Sequence, residues 1–178
     1  YSASHAYADD NPSGTASDNY DITVTVTDDD GGVGSVGGAS SFIPYGVPSG
    51  TVGNQDFNGP LGMDFDVAAP ISVTHLGVFD SGSDGLAVPI TARLYDRSTQ
   101  TEVASLVFAA GDTGSLIDGS RFLPLASAVI LPAGFQGTIV AENYQAGEPN
   151  GNQGFFSMPL TTDNGAGAIS FVGAARFG

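Results

Sequence analysis

Short runs of alternating apolar and polar residues recur along this chain and predict β-strands. The clearest run covers residues 20–27, where Tyr20, Ile22, Val24 and Val26 alternate with Asp and Thr. Strict alternation with a period of two is typical of a strand that buries one face. We therefore expect a half-buried strand over residues 20–27.

Further β-patterned runs follow at fairly regular spacing, separated by turn signals rich in Gly, Pro, Asn and Asp. They cover residues 63–67, 71–79, 90–95, 102–108, 121–125, 138–142, 154–158 and 168–172. Helical patterns do not alternate with these runs, so a parallel α/β sheet is not expected. The number of strands predicts an all-β fold, an antiparallel β-sandwich of the jelly-roll type, over residues 39–178.

Residues 31–41 are rich in Gly and Ser and predict a flexible linker. The chain then divides into residues 1–38, with the strand over residues 20–27 and the linker, and residues 39–178. An isolated strand has unpaired backbone groups and an uncovered apolar face. We expect it to dock on the following domain, to pair with another chain, or to stay disordered.

Two stretches resemble known families. The residues HAYADD (5–10) and DNYDITVTVTDDDGG (18–32) resemble the last part of a PKD domain, an immunoglobulin-like β-sandwich of bacterial surface proteins. The earlier strands of that family are missing, so residues 5–32 resemble a truncated copy. The stretch from ISVTHLGVFD to VFAAGD (71–112), followed by LPAGFQGTIVAENY (131–144), resembles the jelly-roll modules of secreted and surface-sorted bacterial proteins. These resemblances imply an extracellular location on a bacterial cell surface.

The charge balance of the chain excludes two classes of binding partner. The chain has 19 acidic residues against four basic ones, no lysine, and a net charge of -15. Nucleic-acid binding needs clustered Lys or Arg, and anionic membrane surfaces attract basic segments, so neither partner is expected. No apolar run approaches the ~20 residues that span a bilayer.

The residues of familiar catalytic sites are scarce. Cysteine is absent, the histidines are His5 and His75, and no G-x-S-x-G motif occurs. A glycosidase needs two facing carboxylates, and Glu142, at the end of a predicted strand, is the best candidate for an inward-facing acid. We expect no enzymatic activity.

Calcium is the expected metal, because it takes oxygen ligands from Asp, Asn and backbone carbonyls in loops. The candidate ligands are Asp80 and Asp84 in one tight loop, Asp28 and Asp30 after the first strand, and Asp56. None matches EF-hand spacing. The alternative for each cluster is a charged turn without an ion.

Exposed aromatic residues could stack on sugars, with polar side chains binding the hydroxyl groups. Tyr45, Tyr95, Tyr144 and Asn152 are the candidates for glycan binding. The alternative is that the aromatic rings pack in the core or at its rim.

Two functions are compatible with these patterns. The first is a non-catalytic structural or adhesion module of a bacterial surface or matrix protein. It could form a homo-oligomer or a filament when Tyr20, Ile22, Val24 and Val26 enter a neighbouring sandwich by β-strand exchange. The alternative is a calcium-supported carbohydrate-binding module with a polysaccharide as partner.

Overall fold

The structure is a computed structural model, and it describes residues 24–27, 33–36, 41–151 and 159–177, with side chains described for 41–151 and 159–173. Contacts divide the chain into two units, Tyr1–Ser40 and Ser41–Gly178. Twelve strands and one short 3-10 helix, Ser81–Ser83, are present in the described residues. The strands are β1 Val24–Thr27, β2 Val33–Val36, β3 Tyr45–Gly46, β4 Leu61–Val67, β5 Ile71–Phe79, β6 Ile90–Asp96, β7 Thr101–Phe108, β8 Ser115–Ile117, β9 Ser120–Leu131, β10 Gln136–Glu142, β11 Thr161–Thr162 and β12 Ile169–Phe177.

The first unit contains an antiparallel hairpin. Strand β1 pairs with β2, so that Val24 lies opposite Val36 and Val26 opposite Gly34. The predicted strand therefore has a partner four residues long within the stretch predicted to be a linker. Strand β2 could not be predicted from the sequence, because its glycine and serine interrupt the apolar alternation that indicates a strand. Tyr20 and Ile22 lie outside the described residues.

The second unit is built around a five-stranded antiparallel sheet in the order β12-β4-β10-β6-β7. The strands pair so that apolar residues of neighbouring strands lie on the same face of the sheet. Phe65 lies opposite Gly137, and Ile139 lies opposite both Met63 and Leu94. A bulge interrupts the β6–β7 pairing, because Leu94 pairs with Ala104 whereas the next residue pairs with Glu102.

A three-stranded antiparallel sheet in the order β5-β9-β8 covers one face of the larger sheet. Strand β9 is long, and it pairs with β5 first through residues 120–124 and then through residues 129–131. The register shifts between these two stretches. Two-residue strands β3 and β11 form a separate short ladder.

The core lies between the two sheets and is made by the apolar positions of both. Its buried members are Val47, Phe65, Val67, Leu76, Val78, Phe79, Leu86, Ile90, Ala92, Leu94, Phe108, Leu131, Tyr144 and Ile169. In β6 the core residues alternate with Thr91, Arg93 and Tyr95, which face away from the core. Burial of these side chains is the main force that holds the two sheets together.

The predicted all-β antiparallel sandwich is confirmed. Within the described part of the second unit, eight strands are longer than two residues, the number found in a jelly roll. The turns follow the predicted chemistry, since Oδ1 of Asp96 accepts hydrogen bonds from the backbone N–H groups of Ser98 and Thr99. No helix in the described residues has the length and apolar character needed to cross a membrane.

Candidate functional site

A row of polar side chains crosses the solvent-facing side of the five-stranded sheet. The register places Asp64 of β4 opposite Thr138 of β10, Thr138 opposite Tyr95 of β6, and Tyr95 opposite Glu102 of β7. The Thr138 hydroxyl donates a hydrogen bond to Oδ1 of Asp64 at 2.6 Å. Directly opposed residues in antiparallel strands have Cβ atoms about 5 Å apart, so these four side chains are neighbours.

One arginine lies at each side of Tyr95. The Arg97 guanidinium forms an ion pair with Oδ2 of Asp64 at 3.3 Å and donates a hydrogen bond from Nη2 to Asp66. On the other side, Arg93 donates from Nε to Glu142 at 2.8 Å and from Nη1 to Glu102 at 2.6 Å. These contacts fix two charged clusters on the same surface as the tyrosine.

The hydrogen bonds of Glu102 keep it ionised. Ser105 donates its hydroxyl to Oε1 at 2.6 Å, and this bond, followed by the one from Arg93, lowers the pKa of Glu102. The bonds to Glu102 and Glu142 raise the pKa of Arg93 in turn. Glu142, expected to face inward, therefore pairs with Arg93 on the outer side of the sheet.

We call this surface the polar sheet face, defined by Asp64, Asp66, Arg93, Tyr95, Arg97, Glu102, Thr138 and Glu142. Its centre is the half-buried ring of Tyr95, with ion-paired side chains on both sides. An aromatic ring flanked by fixed donors and acceptors can stack on a sugar ring and bind its hydroxyl groups.

The other glycan candidates lie elsewhere. Tyr45 is half-buried in β3, where burial raises its pKa. Tyr144 is completely buried, its hydroxyl donates to the Phe79 carbonyl at 3.1 Å, and burial raises its pKa. A buried ring has no face open to a sugar. Asn152 lies outside the described residues.

The loop between β5 and β6 contains a buried charge cluster. Asp80 is fully buried, and its Oδ2 accepts a hydrogen bond from Nε of Arg121 at 2.6 Å. The backbone N–H of Gly85 donates to both oxygens of Asp80, at 3.3 and 3.1 Å. Nη2 of Arg121 also donates to Asp112 at 2.7 Å. The Asp80 carboxylate is thus already held by protein groups.

Glu148 closes the same loop from the other side. Its Oε1 accepts from the N–H of Ser81 and its Oε2 from the N–H of Ala87, both at 2.7 Å. Burial raises the pKa of Glu148, and the two backbone hydrogen bonds oppose that shift. This role of Glu148 could not be predicted, because Glu148 lies in a Gly- and Pro-containing segment without strand periodicity.

The calcium candidates do not converge on one place in the described residues. Asp84 and Asp56 are exposed in separate loops, while Asp28 and Asp30 lie outside the described part. Among the side chains described, no group of three or more His, Cys, Asp or Glu residues is placed to hold a metal ion. Calcium binding stays a prediction.

A shallow pocket opens at the end of the five-stranded sheet where β10 ends and β4 and β6 begin. We call it the amide pocket, and its lining residues are Asn58, Val88, Pro89, Asn143 and Gln145. It is a depression open to solvent and not an enclosed cavity. Three side-chain amides and two apolar residues form the lining, without a charged side chain.

The arginines of the described region share one property. Arg93, Arg97 and Arg121 each bind two carboxylates. The fourth arginine, Arg176, lies where side chains are not described. Every arginine whose side chain is described is therefore already engaged by carboxylates.

Comparisons with known proteins find partial similarity to animal proteins named as glycosyltransferases. The chain is 30% identical over 112 residues to UDP-GalNAc:beta-1,3-N-acetylgalactosaminyltransferase 2 of Danio rerio, covering 62% of this chain and 22% of that protein. The proteins of that name from Xenopus laevis and Xenopus tropicalis are each 32% identical over 85 residues, covering 47% of this chain and 17% of theirs. The chain thus spans about a fifth of the length of these relatives. No family model matches the chain, and no solved structure matches it.

These similarities correct two predictions. The interpretation as a non-catalytic structural module of a bacterial surface protein, assembled by strand exchange, is wrong, because the matched proteins are animal glycosyltransferases. The prediction that the chain is not an enzyme is wrong for the same reason. The functional prediction from the sequence was wrong because the family resemblances rested on strand and turn patterns, which many unrelated β-sandwiches share.

Proposed function

We propose that this chain is the β-sandwich part of a protein that transfers sugars, and that the sandwich binds the acceptor saccharide. The observation that carries this proposal is the 30% identity over 112 residues to an N-acetylgalactosaminyltransferase. The 112 matched residues exceed the 40 residues of the first unit, so the match includes at least part of the sandwich. The matched proteins are named for the transfer of N-acetylgalactosamine.

The polar sheet face supports a saccharide as the ligand. Tyr95 lies between the Arg97 and Arg93 clusters, whose donors and acceptors are already fixed by ion pairs. Groups held in place before binding lose little conformational freedom when a ligand arrives. A row of four strands is also long enough for more than one sugar ring.

The charge distribution supports a neutral saccharide over a sugar nucleotide. The net charge of -15 repels a diphosphate, and the described arginines are each engaged by two carboxylates. The sandwich is therefore assigned to the acceptor saccharide and not to the donor nucleotide.

Replacing the central tyrosine tests this proposal. Tyr95→Ala removes the stacking surface, and we expect binding of an N-acetylhexosamine oligosaccharide to weaken about tenfold, as measured by isothermal titration calorimetry. Tyr95→Phe keeps the ring and should bind within about threefold of the wild type. Val107→Ala, at a 65% exposed position on the edge strand of the same sheet, is the control. Equal affinities of Tyr95→Ala and wild type would refute the role of this face.

A further inference from the structure

We propose that Asn58 is a site of spontaneous covalent modification, at which the side-chain amide is lost by ring closure with the backbone nitrogen of Gly59. The proposal is independent of the function proposed above. Three Asn-Gly pairs occur in the sequence, at residues 58–59, 150–151 and 164–165. Glycine has no side chain to hinder the closure, so the sequence makes the three pairs equivalent, whereas the structure distinguishes them.

The modification consumes only water. The Gly59 nitrogen attacks Cγ of Asn58 and gives its proton to solvent base, while the Cγ–Nδ2 bond breaks and the amide leaves as ammonia. Water then opens the succinimide ring. Its attack at Cγ gives aspartate, and its attack at the backbone carbonyl carbon gives isoaspartate, in which the chain runs through Cγ. The glycine nitrogen must give up any hydrogen bond it donates, and the asparagine must rotate to meet it.

The pair at residues 164–165 is blocked at the nitrogen. The N–H of Gly165 donates to Oδ1 of Asp163 at 2.8 Å, and hydrogen bonds to a charged group are the strong ones. Oδ1 of Asn164 also accepts from the N–H of Gly167 at 3.1 Å, which holds the side chain away from the reaction. Ring closure at Asn164 would break both bonds.

The pair at residues 150–151 is blocked at the asparagine backbone. Asn150 is half-buried, and its N–H donates to the Gln55 carbonyl at 2.8 Å. Its own carbonyl accepts from the N–H groups of Asn54 and Gln55, at 2.9 and 3.0 Å. Hydrogen bonds on both sides of its Cα oppose the rotation that ring closure requires.

Asn58 has neither restraint. Its side chain is exposed and makes no hydrogen bond in the part of the chain that the structure describes, and the same holds for the N–H of Gly59. One backbone bond reaches the residue, from the N–H of Asn143 to the Asn58 carbonyl at 3.0 Å. This bond polarises the peptide group and makes the N–H of Gly59 more acidic, which favours the attack.

The two described Asp-Gly pairs, which can close the same ring with loss of water, are also blocked. The N–H of Gly85 donates to both oxygens of Asp80, and the N–H of Gly119 donates to the Val47 carbonyl at 2.6 Å. Asn58 is therefore the position where exposure, an unbonded side chain and an unbonded glycine nitrogen coincide in the described residues.

The product changes the surface at this place. Asn58 lines the amide pocket, whose lining has no charged side chain, so either product introduces a carboxylate there. Isoaspartate also lengthens the backbone by one methylene group shortly before Leu61–Val67, the strand β4.

The test follows all three Asn-Gly pairs in one sample. The full chain is incubated in mildly alkaline buffer made with heavy-oxygen water, then digested in ordinary water, and mass spectrometry measures the labelled carboxylate at each pair. We expect Asn58 to convert at least about tenfold faster than Asn164 and about fivefold faster than Asn150, for the hydrogen bonds that those two must break. In the urea-denatured chain the three rates should agree within about threefold, because the restraints are gone.

Asn58→Gln is the matched variant, because glutamine would have to close a larger and less favourable ring. It should remove labelling at position 58 and leave the rates at Asn150 and Asn164 unchanged. Equal rates at the three pairs of the folded chain, or faster conversion of Asn150 or Asn164, would overturn the proposal. The same ranking in the denatured chain would also overturn it, since the sequence and not the fold would then select Asn58.

Discussion

Asp80 and Arg121 form a buried ion pair, with Oδ2 of Asp80 2.6 Å from Nε of Arg121 and side chains 0% and 7% exposed. Asp80 follows β5, and Arg121 lies near the start of β9. The pair therefore fixes the loop after β5 against the neighbouring strand of the three-stranded sheet. Burial of two charges is tolerated here because each also has a further partner, Gly85 for the acid and Asp112 for the arginine.

Removing the cation of this pair should destabilise the protein strongly. Arg121→Met leaves Asp80 buried without a positive partner, and we expect the free energy of unfolding to fall by about 3–5 kcal/mol. Urea unfolding of the full chain, followed by tyrosine fluorescence, measures this loss. Asp112→Asn is the control: the Asp112 side chain is 82% exposed, so its ion pair should contribute at most about 1 kcal/mol. A loss below about 1 kcal/mol for Arg121→Met would contradict the structural role of the pair.

The pH dependence of stability should report on Glu148. Burial raises its folded pKa above the unfolded value of about 4.3, so its contribution is complete below that pH and is lost as the pH rises through the folded pKa. Because glutamine does not titrate, Glu148→Gln removes the loss of stability that ionisation of Glu148 causes as the pH rises. We expect the variant's free energy of unfolding to rise more steeply with pH above 4.3 than the wild type's, by up to about 1.4 kcal/mol per pH unit.

Glu102 provides a control with the opposite sign for this experiment. Hydrogen bonds from Ser105 and then Arg93 lower its pKa, so its stabilising contribution exists above pH ~4.3 and is lost as the pH falls through the folded pKa. Glu102→Gln should therefore flatten the pH dependence below about pH 4.3, by a small amount because the side chain is partly exposed. Identical pH profiles for wild type and Glu148→Gln would show that Glu148 does not titrate as described.

The packing between Gly137 and Phe65 leaves no space for a side chain. A Cβ atom at position 137 would lie 2.2 Å from Cζ of Phe65, whose ring also packs against Phe135 with centroids 6.4 Å apart. We expect Gly137→Ala to destabilise the fold by about 1–3 kcal/mol in thermal or denaturant unfolding. The double variant Gly137→Ala/Phe65→Leu should lose less than the sum of the single variants, since the clash is removed.

Gly147→Ala is the matched control for this clash. The nearest atom to its Cβ is Cβ of Ala87 at 3.9 Å, an ordinary contact. A change within about 0.5 kcal/mol is expected there. If Gly137→Ala changes the free energy of unfolding as little as Gly147→Ala does, the close packing of Phe65 on β10 is not present in solution.

The sequence predicts the strands of the sandwich well wherever one face is buried. The runs predicted over residues 71–79 and 90–95 correspond to β5 and β6, because their apolar residues alternate toward the core. Strand β9 continues to Leu131, well beyond the predicted residue 125, because pairing with β5 stabilises a stretch whose side chains are mostly exposed. Tertiary pairing of this kind leaves no periodic signal.

The candidate site was predictable only in part. Tyr95 could be named from its alternation with core residues, but its ion-paired neighbours come from β4, β7 and β10. Pairing across 31 to 49 positions of sequence, as for Arg97 with Asp66 and Arg93 with Glu142, depends on strand order, which alternation does not encode. The buried role of Glu148 was hidden for the same reason, because its partners Ser81 and Ala87 are more than 60 residues away.

The most direct test of the account compares a neutral saccharide with a sugar nucleotide. Calorimetric titration of the full chain with an oligosaccharide ending in N-acetylhexosamine, and separately with UDP-GalNAc, gives both affinities under one set of conditions. We expect the neutral oligosaccharide to bind at least about tenfold more tightly, because the described arginines are engaged and the net charge is -15. Equal or tighter binding of UDP-GalNAc, or binding of neither compound, would contradict the assignment of this sandwich to the acceptor saccharide.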